Sequence, residues 1–228
     1  MLPNETFVKT DIVEILKQSI NVAQISCRGI ESYPLQEYVL QSTFIKMTGY
    51  LEQKIKCICW DIASINYEFR YDILEEWNKL GTFSAYEKIK KVYSLIIKYI
   101  KVYDDSYIDN TTISFNSYKD IKNIFDISIL NTFEERKYLK FKNDEVFFTN
   151  KTFSDFAELY KKQNRKRNTI AHNTKSYQEN LPKLKTLRND NDYERNSYYH
   201  FFTVLVIYDR IFVNIYEKCI NEIKENSW

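Results

Sequence analysis

Three glycines and three prolines in a chain of 228 residues leave few places for tight turns. No other feature limits the fold as strongly. β-Sandwiches and doubly wound sheets spend turn residues at every strand end, whereas a chain dominated by Lys, Glu, Ile, Leu and Tyr can run in long helices. An all-α fold follows. The length suits one domain over residues 1–228, with a core large enough to need no staples.

The hydrophobic spacing fills in this outline. Val8, Ile12, Ile15, Leu16, Ile20, Val22, Ala23 and Ile25 recur three and four apart, predicting an amphipathic helix over about 6–30 that ends near Gly29 and is either appended to the bundle or one of its helices. A long core helix is expected from Leu35 to about Phe69, with Leu40, Phe44, Met47, Leu51, Ile55, Ile58 and Ile62 as its buried row. Gly49 inside it costs about 1 kcal/mol relative to Ala, which points to a close helix contact. The pattern breaks around 75–81, and Ser84-Ala85-Tyr86-Glu87 forms a capping box for a helix over 84–102.

Asp, Asn, Ser and Thr mark 104–116 as a loop, and Ser117 to Asp120 can cap a short helix reaching about Leu130. Residues 137–150 fit either a short strand pair or irregular structure. Thr152 or Ser154 then caps another helix, and a polar stretch from Asn173, broken by Pro182, is a long loop. From about Tyr193 to Lys224 runs the most hydrophobic helix of the chain, expected to pack centrally against the long second one.

A net charge of +2 and a pI of about 8.1 exclude a chain that binds nucleic acid by its field as a whole, so any such surface is local. The 19 Tyr and 15 Phe accompany an excess of Lys, Asn and Ile, a bias of A+T-rich coding sequence rather than a set of base-stacking platforms. Cys27, Cys57, Cys59 and Cys219 contain no CxxC pair, so neither a zinc site nor a disulfide framework is expected, and no cofactor is implied. No leader-like N-terminus and no apolar run of about 18 residues is present, so a soluble, reduced, cytoplasmic protein without membrane contact is expected.

Chemistry concentrates in 153–175, FSDFAELYKKQNRKRNTIAHNTK. On a helix Asn164, Asn168 and His172 form one polar row drifting about 40° per step, while Arg167 sits about 140° from His172. Arginine and histidine therefore meet best across two helices. An imidazole can take a proton from a ribose 2′-hydroxyl or give one to a leaving 5′-oxygen, and a guanidinium can hold the phosphate charge that develops between. With one such histidine per chain, acid and base come either from two chains or from His172 with a second residue such as Glu52. Glu52 lies one residue off the apolar row, where a carboxylate ordinarily marks the solvated edge and otherwise faces a polar site.

Arg167-Asn168-x-x-x-His172, followed by Asn173, resembles the R-polar-x(3–5)-H signature of the HEPN superfamily of compact helical domains, many of them RNases of toxin–antitoxin, abortive-infection and CRISPR systems. The resemblance implies an HEPN-like helical bundle with a long polar loop between the motif helix and the C-terminal helix. It also implies a homodimer with facing motif helices, RNA as substrate, metal-independent cleavage leaving 2′,3′-cyclic phosphate and 5′-hydroxyl ends, and an antitoxin or sensor as a further partner. Arg167 and His172 are the implied catalytic pair, Asn168 a polar orienter and Glu52 a supporting acid. Thr174 stands where some toxins of the superfamily carry a modified tyrosine, so that form of control is not implied. Arg195-Asn196-Ser197-Tyr198-Tyr199-His200 repeats the spacing, but His200 lies among aromatic residues, the setting of a core or cap-proximal histidine. A non-catalytic HEPN-like module binding nucleic acid or a partner protein, and a plain helical scaffold, are the competing readings.

Overall fold

The structure, a computed structural model, describes residues 2–26, 33–79, 91–92, 95–96, 110–126, 165, 167–168, 171 and 198–225. Among these residues every regular element is helical, so the chain is all-α. The elements are α1 (Glu5–Lys9), α2 (Val13–Ser26), α3 (Tyr33–Ile65), α4 (Tyr67–Lys79), α5 (Asn110–Asp126) and α6 (Tyr198–Glu225).

The expected apolar row of α3 holds. Phe44, Met47, Leu51, Ile55, Ile58 and Ile62 are buried, with Leu40 partly so. α6 is the central helix. Every residue from Phe201 to Asp209 is buried, and the helix packs on both α3 and α5. Phe44 meets Phe201 at 5.4 Å between ring centroids, and Phe125 of α5 meets Tyr199 at 5.6 Å.

The single helix expected over 6–30 is two, because the backbone leaves the helix at Thr10, with φ −68° and ψ 123°. Asp11 restarts it by accepting from Val13 N at 2.9 Å, a side chain competing with the helical ladder. The long second helix ends at Ile65 rather than near Phe69. Asn66 stops it and caps α4, its Oδ1 accepting from Phe69 N at 2.8 Å, while Arg70 Nε donates to Ala63 O at 2.7 Å.

α4 continues to Lys79, through the place where the pattern was expected to break. Residues 110–116 are the first turns of α5 rather than loop, and Ser117 is not a cap. Its hydroxyl donates to Ile113 O at 2.7 Å from mid-helix, a bond that satisfies a polar residue buried against α6. Gly49 makes no close helix contact either, since a Cβ built there meets nothing within 4 Å. Lys91, Val92, Leu95 and Ile96 are helical, and the three apolar ones are buried. The helix end near Gly29, the capping box at 84–87, residues 137–150, the cap at Thr152 or Ser154, the loop from Asn173, Arg195 and His172 lie outside the described residues.

Candidate functional site

Of the motif segment, Arg165, Arg167, Asn168 and Ala171 are described, and all four are helical. Arg167 turns toward α3. Its Nη1 stands 3.7 Å from Glu52 Oε1, with the two side chains 29% and 25% exposed. Glu52 therefore faces a polar site rather than open water. Both Glu52 Oε1 and Arg167 Nε are shielded from solvent without a hydrogen-bond partner. A shielded donor and acceptor left this way carry a desolvation cost that a bound polar group can relieve. Asn168, Arg165 and Ala171 are exposed, so among the described residues of the segment Arg167 is the one partly buried. His200, partly buried on α6, stands edge-on to Phe201.

A second polar system went unread in the sequence. Lys54 and Asp61 lie seven apart on α3, and Asp209 and Tyr216 lie seven apart on α6. Lys54 Nζ donates to Asp209 Oδ1 at 2.6 Å, and Tyr216 OH donates to Asp61 Oδ2 at 2.9 Å. Two matched rungs in the same numerical order mean that α3 and α6 run parallel along this seam, with the rungs about 10.5 Å apart.

The N-terminal segment covers both rungs. Asn4 Nδ2 donates to Asp61 Oδ1 at 2.8 Å, Thr10 O accepts from Lys54 Nζ at 2.6 Å, and Ile12 N donates to Asp209 Oδ2 at 3.2 Å. The segment therefore runs antiparallel to the seam. The break between α1 and α2 has its cause here, because an unbroken helix would have kept the Thr10 carbonyl and the Ile12 amide for its own ladder.

Burial raises the Asp209 carboxyl above its ordinary range, with Lys54 and the Ile12 amide pulling the other way. Burial and the neighbouring Asp61 carboxylate push the Tyr216 hydroxyl far above its usual value. At Arg210 burial opposes the charge, but Asp120 and Asp11 outweigh it and the pKa is raised. The guanidinium lies 2.6 Å from Asp120 Oδ2 and 3.0 Å from Asp11 Oδ2. Beside it a cleft of about 280 Å³ opens between Asp11, Arg210, Asn214 and Glu217.

The seam was detectable in principle. Met47, Leu51, Lys54, Ile58 and Asp61 step four, three, four and three, so two charges occupy the apolar face of α3. Lys54, Asp61 and Asp209 are buried beneath the N-terminal segment, and of the three Asp209 borders the cleft beside Arg210. Among the described residues no group of three or more His, Cys, Asp or Glu is placed to hold a metal ion. Among them, too, no helix is long and apolar enough to cross a membrane.

Comparison with protein-family models, with curated proteins and with solved structures gave no match. The likeness to the HEPN superfamily therefore rests on the residues of the motif.

Proposed function

We propose that the chain is a HEPN-type, metal-independent endoribonuclease acting in growth arrest or defence. The observation that carries this reading is the approach of Arg167 to Glu52 across two helices at 3.7 Å. At that separation the carboxylate orients the guanidinium without saturating it, leaving donors for a phosphate whose charge grows in the transition state. His172, one residue beyond the exposed Ala171, takes the proton of the 2′-hydroxyl or delivers one to the leaving 5′-oxygen. Asn168 orients the phosphate, and a second chain with its motif helix alongside supplies the complementary proton carrier. An antitoxin or sensor would restrain the activity.

The test is incubation of the purified chain with total RNA in EDTA, followed by mapping of the ends. Cyclic phosphates that vanish in His172→Ala support the reading. The Glu52–Arg167 contact would also serve as a simple strut in a non-catalytic HEPN-like module binding nucleic acid or a partner protein. Unchanged RNA processing by a folded His172→Ala chain selects that alternative.

A further inference from the structure

Across the end of α3 and along α4, Trp60, Ser64, Tyr67, Tyr71 and Leu74 are exposed and step four, three, four and three. Trp60 is 67% exposed, Tyr67 75%, Tyr71 62% and Leu74 58%. That spacing defines one face of a helix, and on α4 it is the face opposite the buried Phe69 and Ile73. The helical ladder is interrupted at Asn66, with Asn66 N donating to Ile62 O at 2.9 Å on one side and Arg70 N to Asn66 O at 3.1 Å on the other, so the regular row is Tyr67, Tyr71 and Leu74 on α4, and Trp60 and Ser64 stand on the last turns of α3 before it. Three large rings and a leucine at these exposures leave on the order of 500 Å² of mostly apolar side chain in water, at the upper range for one patch on a monomer.

The charges beside the row choose the occupant. Arg70 precedes Tyr71 on one flank, and Glu68 and Glu75 lie on the other, all three exposed. When two such rows pair in parallel, a residue on the first flank meets the residue five further on in the second copy. Arg70 then faces Glu75 of the second copy, twice by symmetry, with the exposed Glu75 carboxylate adding this contact to the one it has within its own chain. Two of the Arg70 donors already bind the Ala63 and Ser64 carbonyls, and a guanidinium has five N–H groups to offer. A polyanion fits less well, because α4 carries Glu68, Asp72, Glu75 and Glu76 against Arg70 and Lys79.

We propose that the row Tyr67, Tyr71 and Leu74, with Trp60 before it, is a self-association surface that pairs in parallel with the same row of a second copy of this chain. The contact is separate from the pairing of motif helices, and two isologous contacts on one chain build a tetramer or an open array. Sedimentation of the full chain at tens of micromolar reads the two contacts apart. Tyr71→Asp should lower the assembly by one step, to the motif-helix dimer, or to monomer if the motif helices do not pair.

Arg70→Glu and Glu75→Arg should each weaken association about tenfold by setting like charges together, and the double exchange should restore it. Arg70 also holds the end of α3, so Tyr71→Asp and Glu75→Arg, which spare that cap, decide the matter if Arg70→Glu loses helix. Equal mass for the wild-type and Tyr71→Asp chains overturns the proposal, as does a double exchange that restores nothing in chains of unchanged helicity. Loss of RNA binding in Tyr71→Asp at unchanged mass overturns it in favour of nucleic acid.

Discussion

Lys54 Nζ lies 2.6 Å from Asp209 Oδ1, with both side chains buried, and the two stand 155 positions apart in the chain. Their mutual attraction offsets the cost of taking two charges out of water only while both partners stay. Lys54→Met or Asp209→Leu alone should cost about 3–5 kcal/mol, since each leaves an uncompensated buried charge. The double variant should be more stable than either single one. Urea unfolding followed by circular dichroism measures all three.

Asn4→Ala and Tyr216→Phe each remove one of two neutral donors from the buried Asp61 carboxylate. A hydrogen bond to a charged group contributes roughly 1.5–3 kcal/mol, and each substitution should cost about that much. Because both act on one carboxylate, their combination should depart from additivity. Equal and additive effects near zero would mean that Asp61 is satisfied by other groups.

Gly49→Ala should stabilise the chain by about 1 kcal/mol, because the position lies within α3 and the added methyl meets nothing. A shift of the urea midpoint at constant slope checks it. Destabilisation would indicate a contact at this position.

Burial pushes the thiols of Cys59 and Cys219 up to about 12, from an ordinary 9.0. A raised folded-state pKa contributes stability that is fully present below 9.0 and lost as pH rises toward 12. Between these values the native state keeps two protons that the unfolded chain gives up, so stability should fall by about 2.7 kcal/mol per pH unit at most. Unfolding at pH 8 and pH 10.5 compares the two regimes, and Cys59→Ala should flatten the slope. Among the three described cysteines, thiol titration of the native chain should find the partly exposed Cys57 reacting before Cys59 and Cys219.

Arg167→Ala and His172→Ala should abolish RNA cleavage, and Glu52→Gln should reduce it about tenfold to a hundredfold by releasing the guanidinium. Stability should move by no more than about 1 kcal/mol in Glu52→Gln, since the pair is partly exposed and loosely spaced. A Glu52→Gln chain with full activity would reduce the carboxylate to a structural role.

The row from Phe44 to Ile62 and the hydrophobic run of α6 could be read from sequence because a helix repeats its burial every three or four residues, whatever it packs against. The scarcity of turn residues set the helical class for the same local reason. Ser117 misled, because a serine followed by Tyr118, Lys119 and Asp120 satisfies the rule for a helix start just as well when it sits mid-helix, bonded back to Ile113. Lys54 went unread, since a lysine passes as solvated unless its partner is known.

The sequence singles out Arg167 by the spacing of its motif and Glu52 by its place beside an apolar row, more than a hundred positions apart. Only the packing of the motif segment on α3 brought them within 3.7 Å. The sequence by itself thus determined the helical class and the buried faces of α3 and α6, because those depend on neighbours a turn away. Tertiary structure alone decided the two polar rungs, the break at Thr10 and the meeting of Arg167 with Glu52, because a buried charge is stable only beside a partner that the fold delivers from elsewhere in the chain.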